Sequence, residues 1–187
     1  MPRSSQFDWA QFQLGIFVKA RPEELYALWT TGHGLGRWFL RTAEFAPATG
    51  PAPRGKRAKL SPFPEGHVRA EEEACRAGDL YRWEWYYDGG ITGEGRVTQM
   101  RPPTRFGVTF GNEMEVEIGI RKQGPWCELS LRQFKIPDTP QGRWSLHMGC
   151  RVGWTFFLTN LKSVAEGGPD LRETDRMRTK QLHLINI

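Results

Sequence analysis

The chain has 187 residues, 39% of them hydrophobic, and a formal charge of +5. That is enough material for one substantial core and too little for two, so a single domain over residues 1–187 is expected. No window approaches the roughly 18 apolar residues that a membrane span needs; Cys75, Cys127 and Cys150 form no metal-type pair and leave one over in any disulfide count, and Met1 to Asp8 holds no apolar signal stretch, so a reducing, cytoplasmic setting is expected.

A basic balance can point to nucleic acid, but here much of the excess is local. Arg54, Lys56, Arg57 and Lys59 sit together in a proline-rich segment, and the acidic run Glu71, Glu72 and Glu73 follows soon after. Such a mixture does not make one continuous phosphate-tracking face, and no nucleic-acid partner is expected.

In chain order, Phe7 to Val18 alternates loosely, with an irregularity near Ala10, and predicts an edge strand. Arg21 and Pro22, followed by Glu23 and Glu24, suit the positive end of a helix carrying Leu25, Leu28 and Trp29 on one face. Thr31, Gly32 and Gly34 break that helix, and Leu35 to Phe39 predicts a second short helical turn with Trp38 and Phe39 pointing inward. Arg41 to Ala46 returns to strand character. Pro47, Pro51, Pro53, Pro62 and Pro64, with Gly50, Gly55 and Gly66, then make a loop at about residues 47–66 that cannot donate regular hydrogen bonds, with a short strand expected around Ala58 to Leu60.

From Leu80 onward the period is two. Tyr81, Trp83, Trp85 and Tyr87 fall on one face of a strand with Arg82 and Glu84 on the other, and Asp88, Gly89 and Gly90 form a turn. Ile91 to Met100, Arg105 to Gly111, Glu113 to Gln123 and Trp126 to Lys135 complete an antiparallel meander; in the fourth of its strands Met114, Val116, Ile118 and Ile120 alternate against Glu115, Glu117 and Gly119. Pro137 and Pro140 release the chain into a long helix, Arg143 to Ala165. There Leu146, Cys150, Gly153, Trp154, Phe157, Leu158, Leu161 and Val164 recur at steps of three and four. Gly167 and Gly168 should end it, leaving a tail at about 167–187 that is mostly charged until Leu182, Leu184, Ile185 and Ile187.

A catalytic reading needs groups that move protons or activate a nucleophile. His33, His67, His147 and His183 are dispersed without ligand spacing, and there is no Cys-x-x-Cys, serine nucleophile elbow or glycine-rich phosphate loop. No catalytic residue, metal or cofactor is therefore assigned. His147 falls on the shoulder of the inward stripe, where it serves either as a satisfied core residue or as a donor to a ligand carbonyl. Cys150 reads as small apolar filling.

The order of strand, two short helices, antiparallel sheet and long C-terminal helix resembles the helix-grip plan of the START or Bet v 1-like superfamily. Local matches sharpen it. Residues 21–29, Arg-Pro-Glu-Glu-Leu-Tyr-Ala-Leu-Trp, resemble the family's opening helix, and Gly36-Arg37-Trp38-Phe39 resembles the Trp-Phe element that follows. Gly95-Arg96-Val97 leading to Arg101-Pro102-Pro103-Thr104-Arg105-Phe106 looks like the family's hairpin, Gly153-Trp154 to Leu161 like its closing helix, and residues 167–172 like the tail of bacterial members. Together they are similar to the SRPBCC branch named after the activator of heat-shock protein 90 ATPase homologue C-terminal domain.

That resemblance implies an α+β helix-grip fold, a curved antiparallel sheet around the long helix, with a cavity between them. The implied function is non-catalytic binding of a hydrophobic or amphipathic small molecule there. The expected lining is Trp38, Phe39, Trp83, Trp85, Val97, Phe106, His147, Cys150, Trp154 and Leu158, with the aromatics stacking on the ligand, His147 orienting it and the loop around Pro62 to Gly66 gating access. Two alternatives stand beside it: a cyclase- or hydrolase-like enzyme using His147 and Glu84, and a chaperone-linked interaction module. Met148, Val152 and Phe156 form a second apolar row on the long helix, which, with the C-terminal tail, is the candidate surface for a homodimer or protein partner.

Overall fold

The computed structural model describes residues 7–48, 63–64, 66–86, 92–111, 113–175 and 177–180. Strand β1 (Phe12–Val18) leads to helices α1 (Pro22–Thr30) and α2 (Gly32–Gly36), then β2 (Thr42–Ala46), β3 (Leu80–Glu84), β4 (Thr92–Arg101), β5 (Arg105–Phe110), β6 (Met114–Gln123) and β7 (Trp126–Phe134). A π-helical segment, Gly142–Met148, opens directly into α3, Gly149–Ala165. The strands form one antiparallel sheet in the order β1-β7-β6-β5-β4-β3-β2. Its curve closes around α3, the α+β helix-grip arrangement.

The predicted edge strand is shorter than the sequence suggests. Asp8 accepts a hydrogen bond from the Ala10 N–H at 2.9 Å, closing a turn, so the ladder with β7 starts only at Phe12. Helix α1 begins at Pro22 as expected, and the Glu24 carboxylate accepts from the Arg21 N–H at 3.3 Å, satisfying a donor at the helix start. Leu25, Leu28 and Trp29 are buried.

The second helix lies at Gly32–Gly36, earlier than the expected Leu35 to Phe39. The Thr31 hydroxyl accepts from the Gly34 N–H at 2.8 Å, capping a turn packed directly against α1. A Cβ at Gly34 would stand 2.2 Å from the Ala27 carbonyl oxygen, so the glycines read as breakers are what allow this close turn. Trp38 and Phe39 follow it into the core.

The alternation of β6 holds, with Met114, Val116, Ile118 and Ile120 buried. On β3 the inward Tyr81 and Trp83 stand opposite Gly95 and Gly93 of β4. The Tyr81 ring lies across Gly95 and its hydroxyl donates to the Thr109 carbonyl at 2.6 Å; an added Cβ at Gly95 would come within 2.4 Å of that ring's oxygen. Gly95→Ala is therefore expected to cost about 1–3 kcal/mol by overpacking, read as a lowered urea midpoint, whereas Gly124→Ala, at a turn with φ 59° and nothing near its side-chain position, should show backbone strain alone.

The long helix has two parts. Gly149 N–H bonds to the Trp144 carbonyl five residues back, so the chain upstream of Gly149 is rotated relative to an ideal α-helical stripe. At the other end Gly167 has φ +83°, and the Gly168 and Gly167 N–H groups bond to the Ser163 and Val164 carbonyls at 2.7 and 3.2 Å. This is the glycine termination expected from the sequence. The strand expected at Ala58 to Leu60, the turn at Asp88 to Gly90 and the apolar end of the tail, Leu182 to Ile187, lie outside the described residues.

The start of the tail docks. Arg172, 8% exposed, donates to the Leu40 carbonyl at 2.8 Å and the Gly36 carbonyl at 2.7 Å while pairing with Asp170. Buried Asn160 of α3 donates to the Trp38 carbonyl at 2.7 Å and to Asp170 at 2.9 Å, and accepts from the Leu171 N–H at 2.8 Å. One helix side chain thus ties the loop after α2 to the tail.

Candidate functional site

Between α3 and the β3 to β5 side of the sheet lies a continuous cluster of aromatic rings. Phe39 is at its centre: its ring centroid is 5.2 Å from Trp38, 5.6 Å from Trp83, 5.6 Å from Trp85, 5.0 Å from Trp154 and 4.8 Å from Phe157. Tyr81 stacks on Trp83 at 4.0 Å, and Trp29 packs against Trp38 at 4.6 Å. The chain reaches this arrangement because β3 alternates inward aromatics, α2 delivers Trp38 and Phe39, and α3 presents Trp154, Phe157 and Leu158 from the facing side. Such rings are separated by typical edge-to-face or stacked distances.

Of the residues proposed from sequence, Trp38, Phe39, Trp83, Val97, Phe106, Trp154 and Leu158 are buried in this core, and Trp85 and Cys150 are half-buried against it. Burial raises the Cys150 thiol's pKa, with a hydrogen bond to Gln133 opposing the shift, so the thiol stays protonated. His147 is set apart. Its ring is surrounded by Phe7, Trp9 and Phe12 at 5.5, 5.1 and 5.3 Å, and Nδ1 lies 3.0 Å from the Trp9 carbonyl oxygen. The π-helical turn accounts for this, because it rotates His147 away from the stripe that carries Trp154 and toward the segment before β1. Glu84, the other half of the acid and base pair considered above, is held instead by Arg41 at 3.1 Å and Thr42 at 3.2 Å.

The expected lining omits several members of the cluster, although Trp29 and Phe157 fall on the apolar faces of their helices. Trp29, Phe110 and Phe157 contribute rings, and Gln133, fully buried, accepts from the Trp154 indole N–H at 2.8 Å. Gln133 could have been found by strict alternation, since it continues the inward row Cys127, Leu129 and Leu131 on β7. The indole N–H of Trp38 donates to the Leu28 carbonyl at 2.9 Å. Those of Trp29 and Trp83 are buried without a hydrogen-bond partner.

Three concavities lie elsewhere on the described residues. One of about 510 Å³ is on the outer face of β1, β7, β6 and β5, over Gly119 and Ser130 between Arg105, Arg121 and Arg132. A second, about 390 Å³, is formed by Trp9, Pro140, Arg143, Trp144 and Met148. A third, about 460 Å³, lies between α2, β2 and residues 68–71. Of the apolar row on the long helix, Met148 and Val152 are exposed and Phe156 is half-buried, with Trp144, 76% exposed, extending it. Among the described residues no group of three or more His, Cys, Asp or Glu side chains could hold a metal ion, and no helix is long and apolar enough to cross a membrane.

A seven-stranded antiparallel sheet gripping one long C-terminal helix, with an aromatic interior between them, defines a helix-grip protein. The chain belongs to the Activator of Hsp90 ATPase homolog 1-like protein family, which it matches over residues 19–166. No match is found among curated proteins. Solved structures share the fold. Protein SSP2350 from Staphylococcus saprophyticus superposes with a TM-score of 0.62 at 11% identity, covering 87% of this chain and 96% of that one. The Aha1 dimer from Colwellia psychrerythraea gives 0.58 at 16% identity, covering 84% and 97%. DynU16, a protein of the dynemicin biosynthetic locus, gives 0.60 at 19% identity, covering 88% of this chain and 50% of that one.

Proposed function

We propose that this protein binds a hydrophobic or amphipathic small molecule between the sheet and α3, without chemistry of its own, in the cytoplasm. The observation that carries the reading is the Trp83 indole N–H, 2% exposed as a residue and unpartnered, inside a nest of aromatic rings. A buried donor left without an acceptor costs stability unless something fills the place. The half-buried Trp85 and Phe157, both in edge contact with Phe39, stand at the margin of the nest and are the rings whose displacement would admit a ligand. Largely aromatic walls with few placed polar groups are what small-molecule sites use. That a relative of the same fold, DynU16, comes from a biosynthetic locus fits a small-molecule role.

The non-catalytic part rests on the protonation and placement of the candidate groups. Cys150 stays a thiol, and His147 and Glu84 have separate partners on separate elements. Native mass spectrometry of the freshly purified protein, compared with the denatured chain, tests the proposal. The expected result is a discrete extra mass that is lost on denaturation. A bare native mass, together with no shift in melting temperature on incubation with a cell extract of small molecules, would overturn it.

A further inference from the structure

Resting on the ligand-binding reading, we infer that the molecule taken up by the aromatic nest is uncharged and presents hydrogen-bond acceptors, such as a ketone or ether oxygen, to the Trp83 and Trp29 indoles. The argument is an inventory of polar groups. The Trp38 N–H is used by the Leu28 carbonyl, the Trp154 N–H by Gln133 Oε1 and the Tyr81 hydroxyl by the Thr109 carbonyl. Gln133 donates its amide to the Met114 sulfur at 3.2 Å and is also hydrogen-bonded to Cys150. Of the side-chain polar atoms in the nest, those buried without a partner are Trp29 Nε1 and Trp83 Nε1. An indole N–H donates and cannot accept, so a ligand gains there only by bringing acceptors.

Charge is excluded by the same inventory. The buried ion pairs of the described residues are already made, Asp79 with Arg69 at 2.6 Å and Arg172 with Asp170 at 2.7 Å, and Arg96, whose Nε is buried without a partner, alternates with the inward Gly95 and Val97 and donates to the Gly78 carbonyl at 3.0 Å on the other face of β4. A carboxylate placed among these rings would be desolvated without a counter-charge, which is the costly case for a buried ion, and an ammonium, although aromatic faces attract it, is a donor only and would leave the two indole N–H groups unpaired. Aromatic faces on several sides, with Tyr81 and Trp83 stacked at 4.0 Å, favour a flat ligand.

The matched compounds fluorene, 9-fluorenone and 9-fluorenone-4-carboxylate test this, titrated calorimetrically into the full chain and into Trp83→Phe and Trp29→Phe. Phenylalanine keeps an aromatic ring and removes only the donor. The expected result is that fluorenone binds roughly five- to tenfold more tightly than fluorene, the worth of one hydrogen bond, that the carboxylate binds more weakly than fluorenone, and that the preference for the ketone falls in at least one variant. Should Trp83→Phe fail to fold by circular dichroism, the Trp29→Phe comparison stands in its place. Equal binding of fluorene and fluorenone would overturn the acceptor inference and leave small-molecule binding intact. Tighter binding of the carboxylate would overturn the exclusion of charge. Binding of none of the three would overturn the inference together with the reading beneath it.

Discussion

Replacing Arg172 with alanine is expected to destabilise the domain by about 2–4 kcal/mol, the range between orphaning a buried carbonyl and breaking a buried ion pair. The side chain is nearly inaccessible and serves the Gly36 and Leu40 carbonyls as well as Asp170, so its removal leaves acceptors on both the α2 to β2 connection and the tail. Arg178→Ala, which removes only exposed pairs with Glu173 and Asp175, should change stability by no more than about 0.5 kcal/mol. Urea denaturation of the three proteins checks the difference, and equal midpoints would mean that the tail docks without contributing.

The same contact carries a pH signature. Burial pushes the Asp170 carboxyl up, but the Arg172 guanidinium, the Arg172 N–H and the Asn160 amide outweigh it and hold the carboxyl below its ordinary range. A carboxyl depressed in the folded state contributes stability above its unfolded pKa, near 4, and that contribution is lost as pH falls through the folded value. Acidification below about pH 4 should therefore narrow the gap between the native protein and Arg172→Ala.

Trp154→Ala should be the most damaging single truncation in the nest. Emptying a buried tryptophan site costs about 3–5 kcal/mol, and the Gln133 oxygen, left without its donor in a fully buried position, adds about 1–3 kcal/mol. Two further variants separate the contributions. Trp154→Phe keeps most of the ring volume but orphans Gln133. Adding Gln133→Leu to it removes the orphaned oxygen and should recover part of the loss, although Gln133 also touches Met114. A double-mutant cycle in guanidinium unfolding reads the coupling. No recovery would mean that the hydrogen bond contributes little and that Trp154 acts through packing alone.

Much of the fold is legible in the sequence, for local reasons. The start of α1 follows from a proline beside two glutamates, and the end of α3 from Gly167, where the backbone turns left-handed. The alternation of Met114, Val116, Ile118 and Ile120 predicted the inner face of β6 because side chains alternate along any strand with one face buried. The site was legible only in part. Trp38, Phe39, Trp83 and Trp154 were found as inward aromatics, but His147 was placed with them by counting at α-helical spacing through a segment that is π-helical.

Other features depended on partners distant in sequence. Asp170 and Arg172 read only as members of a mostly charged tail, because nothing near them announces the carbonyls of Gly36 and Leu40 or the amide of Asn160. Gly95 read as part of a hairpin motif, whereas its role is to leave room for a tyrosine from the neighbouring strand. The sequence by itself determined the order of the strands and helices, the buried face of β6, the start of α1 and the end of α3, since these depend on backbone preferences and short-range periodicity, but not the place of α2 or the π-helical opening of the long helix. Only the tertiary structure decided which polar groups in the interior are paired and which, like the Trp83 and Trp29 indoles, are left over, because hydrogen-bond satisfaction is settled between segments that meet only when the sheet closes on the helix.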